Sequence, residues 1–154
     1  MRSASAAAEV PLAPEAALRL WADLSRWPSF VEGFSRVVEM DPGWPDEDSR
    51  VIWESVPAGR GRVTEKVAEA APGRFATLIF EDRMAGRQTF RATESEAGAR
   101  VELAVEYTLT KYGPLGAVAD VIFIRRALRD SIRRTLERFA VEAAEEAALP
   151  DSPQ

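Results

Sequence analysis

The apolar positions of this chain follow two periods, and the change between them divides it into two kinds of structure. From about Pro114 to Ala148, the residues Val121, Ile124, Leu128, Ile132, Leu136, Phe139 and Ala143 recur every three or four positions. That is the stripe of an amphipathic helix. At a rise of 1.5 Å per residue the helix would be roughly 50 Å long, so it needs a large apolar surface to lie against.

The residues before it supply such a surface. Ser3 to Leu12 reads as a strand, and Pro14 opens a helix that runs to about Asp23 with Ala17, Leu18, Trp21, Ala22 and Leu24 at helical spacing. Pro28 is expected to push Trp27 out of the α region, so that a second short helix, around Ser29 to Gly33, follows the break. Beyond Gly33 the period becomes two. Strands are predicted over Phe34 to Asp41, Arg50 to Val56, Arg62 to Ala70, Arg74 to Glu81, Arg87 to Glu94 and Ala99 to Lys111. Turns fall at Pro42 to Asp46, Pro57-Ala58-Gly59, Pro72-Gly73, Ala85-Gly86 and Ala97-Gly98. Short strands joined by tight turns make an antiparallel meander, and Gly113-Pro114 leads from it into the long helix. The fold class is α+β: one domain over residues 1–148, with 149–154 expected to be a disordered tail.

Alternation assigns the faces. Val51, Trp53 and Ser55 point toward the helix, as do Gln88, Phe90 and Ala92, and Val101, Leu103, Val105, Tyr107 and Leu109. In the strand from Arg62 the inward set is Val63, Glu65 and Val67. Glu65 is the odd member.

Composition narrows the chemistry. The 154 residues include no cysteine and no histidine, which removes disulfides, thiolate catalysis, the usual general base and the commonest metal ligand. A net charge of −5 argues against a nucleic-acid partner. No apolar run is long enough to span a bilayer, and Glu9 and Pro11 interrupt the Ser-Ala-rich start before it makes a signal peptide, so a cytoplasmic protein is expected. Asp46, Glu47 and Asp48 are adjacent in a turn, a poor arrangement for converging on one ion, and no metal or other cofactor is expected.

Two segments carry a family likeness. Ala13-Pro14-Glu15-Ala16-Ala17-Leu18, followed by Trp21-Ala22-Asp23-Leu24-Ser25-Arg26-Trp27-Pro28-Ser29-Phe30, resembles the Pro-containing first helix and "WxDxxxWPxF" entry of START-like (SRPBCC) proteins. Gly98-Ala99-Arg100-Val101-Glu102-Leu103-Ala104-Val105-Glu106-Tyr107 is similar to their last turn and strand. The likeness covers about Ser3 to Ala147. It implies a helix-grip fold, in which a curved sheet of about seven strands holds the long helix and leaves an apolar cavity between them. It also implies a ligand of lipid, polyketide or quinone-like character, with polyketide cyclase/dehydrase-like proteins as one branch.

The candidate site residues follow from the inward faces. Trp53, Gln88, Phe90, Val105, Tyr107, Ile124 and Leu128 would line a cavity for a small apolar molecule. A carboxyl at Glu65 facing that cavity would have a raised pKa and could act as general acid or base, with Tyr107 and Gln88 orienting a carbonyl. That is the alternative of a cofactor-independent cyclase or dehydratase. The plainer reading turns Glu65 outward through a bulge, or pairs it with an arginine. Ile122 and Phe123 lie off the helix stripe: they guard a cavity mouth, form a homodimer or interaction contact, or pack beneath the short helices. Arg125, Arg126, Arg129, Arg133, Arg134 and Arg138 make a basic stretch, read either as an attractor for an anionic lipid surface or acidic carrier protein, or as a solvated face with pairs such as Asp130 with Arg134.

Overall fold

The computed structural model describes residues 2–110 and 117–150, with the backbone alone described over 117–120. Within them the chain runs β1 (Arg2–Val10), α1 (Pro14–Ala22), a single 3₁₀ turn (Leu24–Arg26), α2 (Trp27–Phe30), β2 (Phe34–Met40), β3 (Arg50–Ser55), β4 (Arg62–Ala71), β5 (Arg74–Phe80), β6 (Met84–Ser95), β7 (Gly98–Leu109) and α3 (Ala117–Ala148). The predicted helix start at Pro114, the turn at Gly113, the strand end at Lys111 and the tail beyond 150 lie outside the described residues. The sheet order is β1-β7-β6-β5-β4-β3-β2, an antiparallel meander from β2 to β7 with β1 added along β7, from Arg2 opposite Tyr107 to Val10 opposite Ala99. The α3 helix lies against β1, β7 and the short helices, which is the helix-grip arrangement.

The core is divided along the length of α3. Toward its C-terminal part, Phe139 meets Trp21, Phe30 and Phe90 at ring-centroid distances of 5.7, 5.2 and 5.2 Å, and Trp21 stacks on Phe90 at 4.6 Å. The helix lies along β1, whose Ala4, Ala6 and Ala8 pack against the core, as do Ala140 and Ala143 of α3. Arg26, in the 3₁₀ turn, clamps the same end through Glu142 at 2.6 Å and Glu146 at 2.8 Å.

Four expectations need correction. Trp27 remains helical (φ −56°, ψ −36°) although Pro28 follows it, so α2 begins at Trp27 rather than near Ser29. Burial outweighs the steric preference: the Trp27 indole donates to the Trp21 carbonyl at 2.8 Å and packs edge-on against Phe34, Trp44 and Trp53. The turn assigned to Ala85-Gly86 lies at residues 81–83, and both residues belong to β6. Gly86 is there because the strands press together: a Cβ on it would collide with the Glu106 carbonyl and come within 3.0 Å of Tyr107 Cβ. Arg134 does not pair with Asp130; with Arg138 it reaches Glu32, at 3.5 and 2.7 Å, while Asp130 meets Arg133 at 3.5 Å. Ile122 and Phe123 do not pack beneath the short helices; they are 51% and 67% exposed.

Because Phe139 is wholly buried among three other rings, Phe139→Ala is expected to cost about 3–5 kcal/mol of stability. Phe123→Ala, at an exposed position of the same helix, should change stability by less than about 0.5 kcal/mol. Urea unfolding of both variants measures the contrast, and equal effects would contradict this division of the core.

Candidate functional site

Where α3 leaves the aromatic cluster, the space between helix and sheet is not filled. A cleft of about 830 Å³ lies there. One wall is α3, through Phe123, Ile124, Ala127, Leu128, Asp130, Ser131 and Arg134. The facing wall comes from the β3–β4 loop, Val56 to Gly61, and from the β5–β6 turn, Glu81 to Arg83, with Met84 behind it. The β3–β4 loop is held tight by its own hydrogen bonds: Ser55 N–H donates to the Gly61 carbonyl, and Gly61 N–H to Ser55 Oγ, both at 2.8 Å.

Beside the cleft is an inner pocket of about 30 Å³, room for a group the size of a water molecule. Its apolar wall includes Trp21, Trp27, Trp53, Leu103 and Ile132; its polar wall includes Gln88 and Thr135. Glu32, Arg60, Leu128 and Ser131 border both spaces, so the two adjoin. Arg60 is fixed at the junction. Its guanidinium lies 5.4 Å from the centre of the Trp53 ring and pairs with Glu81 at 2.6 Å.

Of the residues expected to line a cavity, the structure brings Leu128 to both spaces, Ile124 to the cleft, and Trp53 and Gln88 to the inner pocket. Phe90 lies in the aromatic cluster, and Val105 is buried on the inner face of β7; neither borders these spaces. Tyr107 is also buried on β7, and its hydroxyl has no hydrogen-bond partner among the described residues. Arg60, Ser131 and Thr135 were not singled out. Ser131 and Thr135 were legible as polar residues bordering the apolar stripe of α3. Arg60 carried no signal beyond its place in a hairpin corner.

Glu65 faces inward, only 4% exposed, and forms a tier behind the inner pocket. Its Oε2 accepts from the Trp53 indole N–H at 2.7 Å, and its Oε1 from the Thr77 hydroxyl at 2.9 Å and, weakly, from the Gln88 amide at 3.5 Å. Glu65 borders neither space itself, but two of its donors, Trp53 and Gln88, do. Its carboxyl therefore orients pocket-wall side chains. Burial pushes its pKa above the ordinary carboxyl value; the hydrogen bonds from Trp53 and Thr77 and the nearby Arg60 oppose that rise, and Glu81 adds to it. Among the described residues no group of three or more acidic side chains is placed to hold a metal ion.

Comparison with known proteins agrees with this architecture. A family model described as "Polyketide cyclase / dehydrase and lipid transport" matches residues 1–144. Among curated proteins none matches the chain. Among solved structures, TTHA0849 of Thermus thermophilus is similar at 18% identity and a TM-score of 0.76, over 96% of this chain and 100% of that one. The di-domain ARO/CYC StfQ from the steffimycin biosynthetic pathway is similar at 15% identity and a TM-score of 0.76, over 96% of this chain and 52% of that one. The Zhui aromatase/cyclase from Streptomyces sp. R1128 is similar at 16% identity and a TM-score of 0.72, over 92% and 93%. At these identities the likeness is one of fold.

The raised carboxyl pKa gives Glu65 a sign that can be measured. In the window above the ordinary carboxyl value and up to its own, the folded protein holds a proton that the unfolded chain has lost, so this residue's contribution to stability falls as pH rises. Glu65→Gln cannot ionise. Urea unfolding across mildly acid to neutral pH should show the variant gaining on the wild type with rising pH; a difference independent of pH would contradict a raised pKa.

Proposed function

This chain belongs to the polyketide cyclase / dehydrase and lipid transport family, and we propose that it binds a small, mainly apolar molecule in the cleft between α3 and the two hairpin loops. The observation that carries this reading is the cleft itself. Its volume of about 830 Å³ falls within the range of about 300–1,000 Å³ usual for small-molecule sites, and its α3 wall begins with the apolar Phe123, Ile124, Ala127 and Leu128 before turning polar at Asp130, Ser131 and Arg134. The inner pocket suits a polar end group of the ligand. Arg60 and Gln88 are placed to donate to a carbonyl or carboxylate oxygen there, and Ser131 and Thr135 supply hydroxyls. Trp53 and Leu128 contact the ligand on this reading, and Ile124 forms the apolar floor next to Leu128. Phe90 and Val105 support from behind, and Tyr107 has a hydroxyl still able to donate.

The cyclase or dehydratase alternative is favoured by one observation, the buried Glu65 carboxyl with its raised pKa one side chain away from the pocket. On that reading Gln88 swings aside and Glu65 exchanges a proton with the ligand while Arg60 holds its carbonyl. On the binding reading Glu65 is a positioning residue only.

The cleft is tested with 8-anilinonaphthalene-1-sulfonate, whose fluorescence rises in apolar surroundings. One probe per chain is expected. Ala127 is an exposed helix position on the cleft wall, so Ala127→Trp fills the space without disturbing the core. Probe affinity should drop at least about tenfold with thermal stability unchanged, as the loss of one good apolar contact surface implies. Undiminished binding to Ala127→Trp would place the probe elsewhere and remove the support for the cleft.

A further inference from the structure

The rim of the cleft carries an unusual combination of side chains. Val56, on the β3–β4 loop, and Phe123, on α3, both border the cleft and are 43% and 67% exposed, and Ile122 is beside Phe123. Three large apolar groups therefore stand in water at one opening. Arg126 lies one helical turn beyond both Ile122 and Phe123, at the i+4 and i+3 positions, and Arg125 and Arg129 are exposed on the same turns. None of these three arginines has an ion-pair partner among the described residues, in contrast to Arg133, Arg134 and Arg138 farther along the helix.

Charge is segregated along α3 in the same sense. Between Val121 and Arg134 it carries five arginines against the single acid Asp130. Beyond that, Arg138 faces Glu137, Glu142, Glu145 and Glu146. A chain of net charge −5 thus presents a locally cationic, apolar-tipped end at the mouth of its cleft.

We infer that this end docks on an anionic lipid bilayer, with Ile122, Phe123 and Val56 entering the headgroup boundary and Arg125, Arg126 and Arg129 against lipid phosphates. Exposed apolar groups flanked by cations without an ion-pair partner among the described residues match that surface chemically. A second copy of the chain matches it poorly, because a two-fold interface through this face would set the same arginines against each other. The bilayer also fits the position of the patch: an apolar molecule partitions into lipid, and docking here brings the cleft mouth to it. That last point rests on the cleft-binding reading above; the apolar and charged surface does not.

Sedimentation with vesicles is the test, using phosphatidylcholine alone and phosphatidylcholine mixed with phosphatidylglycerol. The protein should partition to the mixed vesicles and not to the neutral ones, and added salt should weaken the binding. Arg126→Glu with Arg129→Glu, both outside the cleft wall, should lower the partition coefficient at least about tenfold, and Ile122→Asp should lower it further. Binding of the anilinonaphthalene probe by the double variant in solution reports that its fold and cleft are intact. Partition independent of vesicle charge, no partition to either vesicle, or wild-type partition of the double variant would each overturn the proposal. So would a concentration-dependent dimer that Ile122→Asp dissociates, since it would assign the face to a second copy. Vesicle binding that persists while the cleft probe fails leaves the docking surface standing and removes only the cleft reading.

Discussion

The contact of Phe139 with Trp21, Phe30 and Phe90 is the constraint on which the remaining structure depends. It joins four separate elements, α3, α1, α2 and β6, at one point, and it does so with rigid rings whose edge-on and stacked geometries tolerate little sliding. With the C-terminal part of α3 fastened there, reinforced by the ion pairs of Arg26 and by the contact of the helix with β1, the direction of the helix is set. Its other part must then pass over the open end of a curved sheet. There Phe123, Ile124, Ala127 and Leu128 border the open space without closing it against the facing loops. The cleft is the consequence of a tight fit elsewhere.

Glu65 forms the second tier of organisation. An ionisable group at this depth is costly, and three donors converge on it to offset that cost. In exchange, the Trp53 indole is held in one orientation at the pocket wall, and the Trp53 ring in turn carries Arg60 across its face. The cation at the junction of the two spaces is thereby supported from two sides, by the ring beneath it and by Glu81 beside it. A hydrophobic residue at position 65 would pack as well but would leave the Trp53 N–H and the Thr77 hydroxyl without their acceptor.

Much of this was legible in the sequence, and the failures have physical reasons. The long helix, the meander and the inward faces follow from periods that burial imposes on every residue of an element; alternation with Val63 and Val67 puts Glu65 on the inner face, yet a bulge or an arginine partner was the plainer reading for a carboxyl there, because the donors that accommodate it, Trp53, Thr77 and Gln88, come from three other strands. Gly86 misled because glycine serves two purposes: it permits turns, and it permits strands to come together, and only the Tyr107 side of the pairing tells them apart. Trp27 misled because a local steric preference before proline was weighed without the indole hydrogen bond that overrides it. Arg134 chose Glu32 over Asp130 because α2 brings a carboxylate from far away in the chain. The cleft was out of reach for the same kind of reason. Its walls are loops, Val56 to Gly61 and Glu81 to Arg83, whose positions depend on how the sheet curves and not on any pattern within them.

On the binding reading, the division of the site into a large cleft and a small inner pocket with polar side chains on one wall bears on what it can discriminate. An apolar wall such as Ile124, Ala127 and Leu128 distinguishes ligands that differ by a methylene by only about 1–3 kcal/mol, so it selects a class of molecule and not one member. A buried polar group left unpaired costs as much at a single atom, and it does so for every ligand that lacks the matching oxygen. Arg60, Gln88, Ser131 and Thr135 gather such groups around a space no larger than one functional group. On the binding reading, affinity would scale with the apolar body in the cleft, while the choice among similar bodies would be made at the inner pocket, where Trp53 and Glu65 hold the neighbouring donors in place.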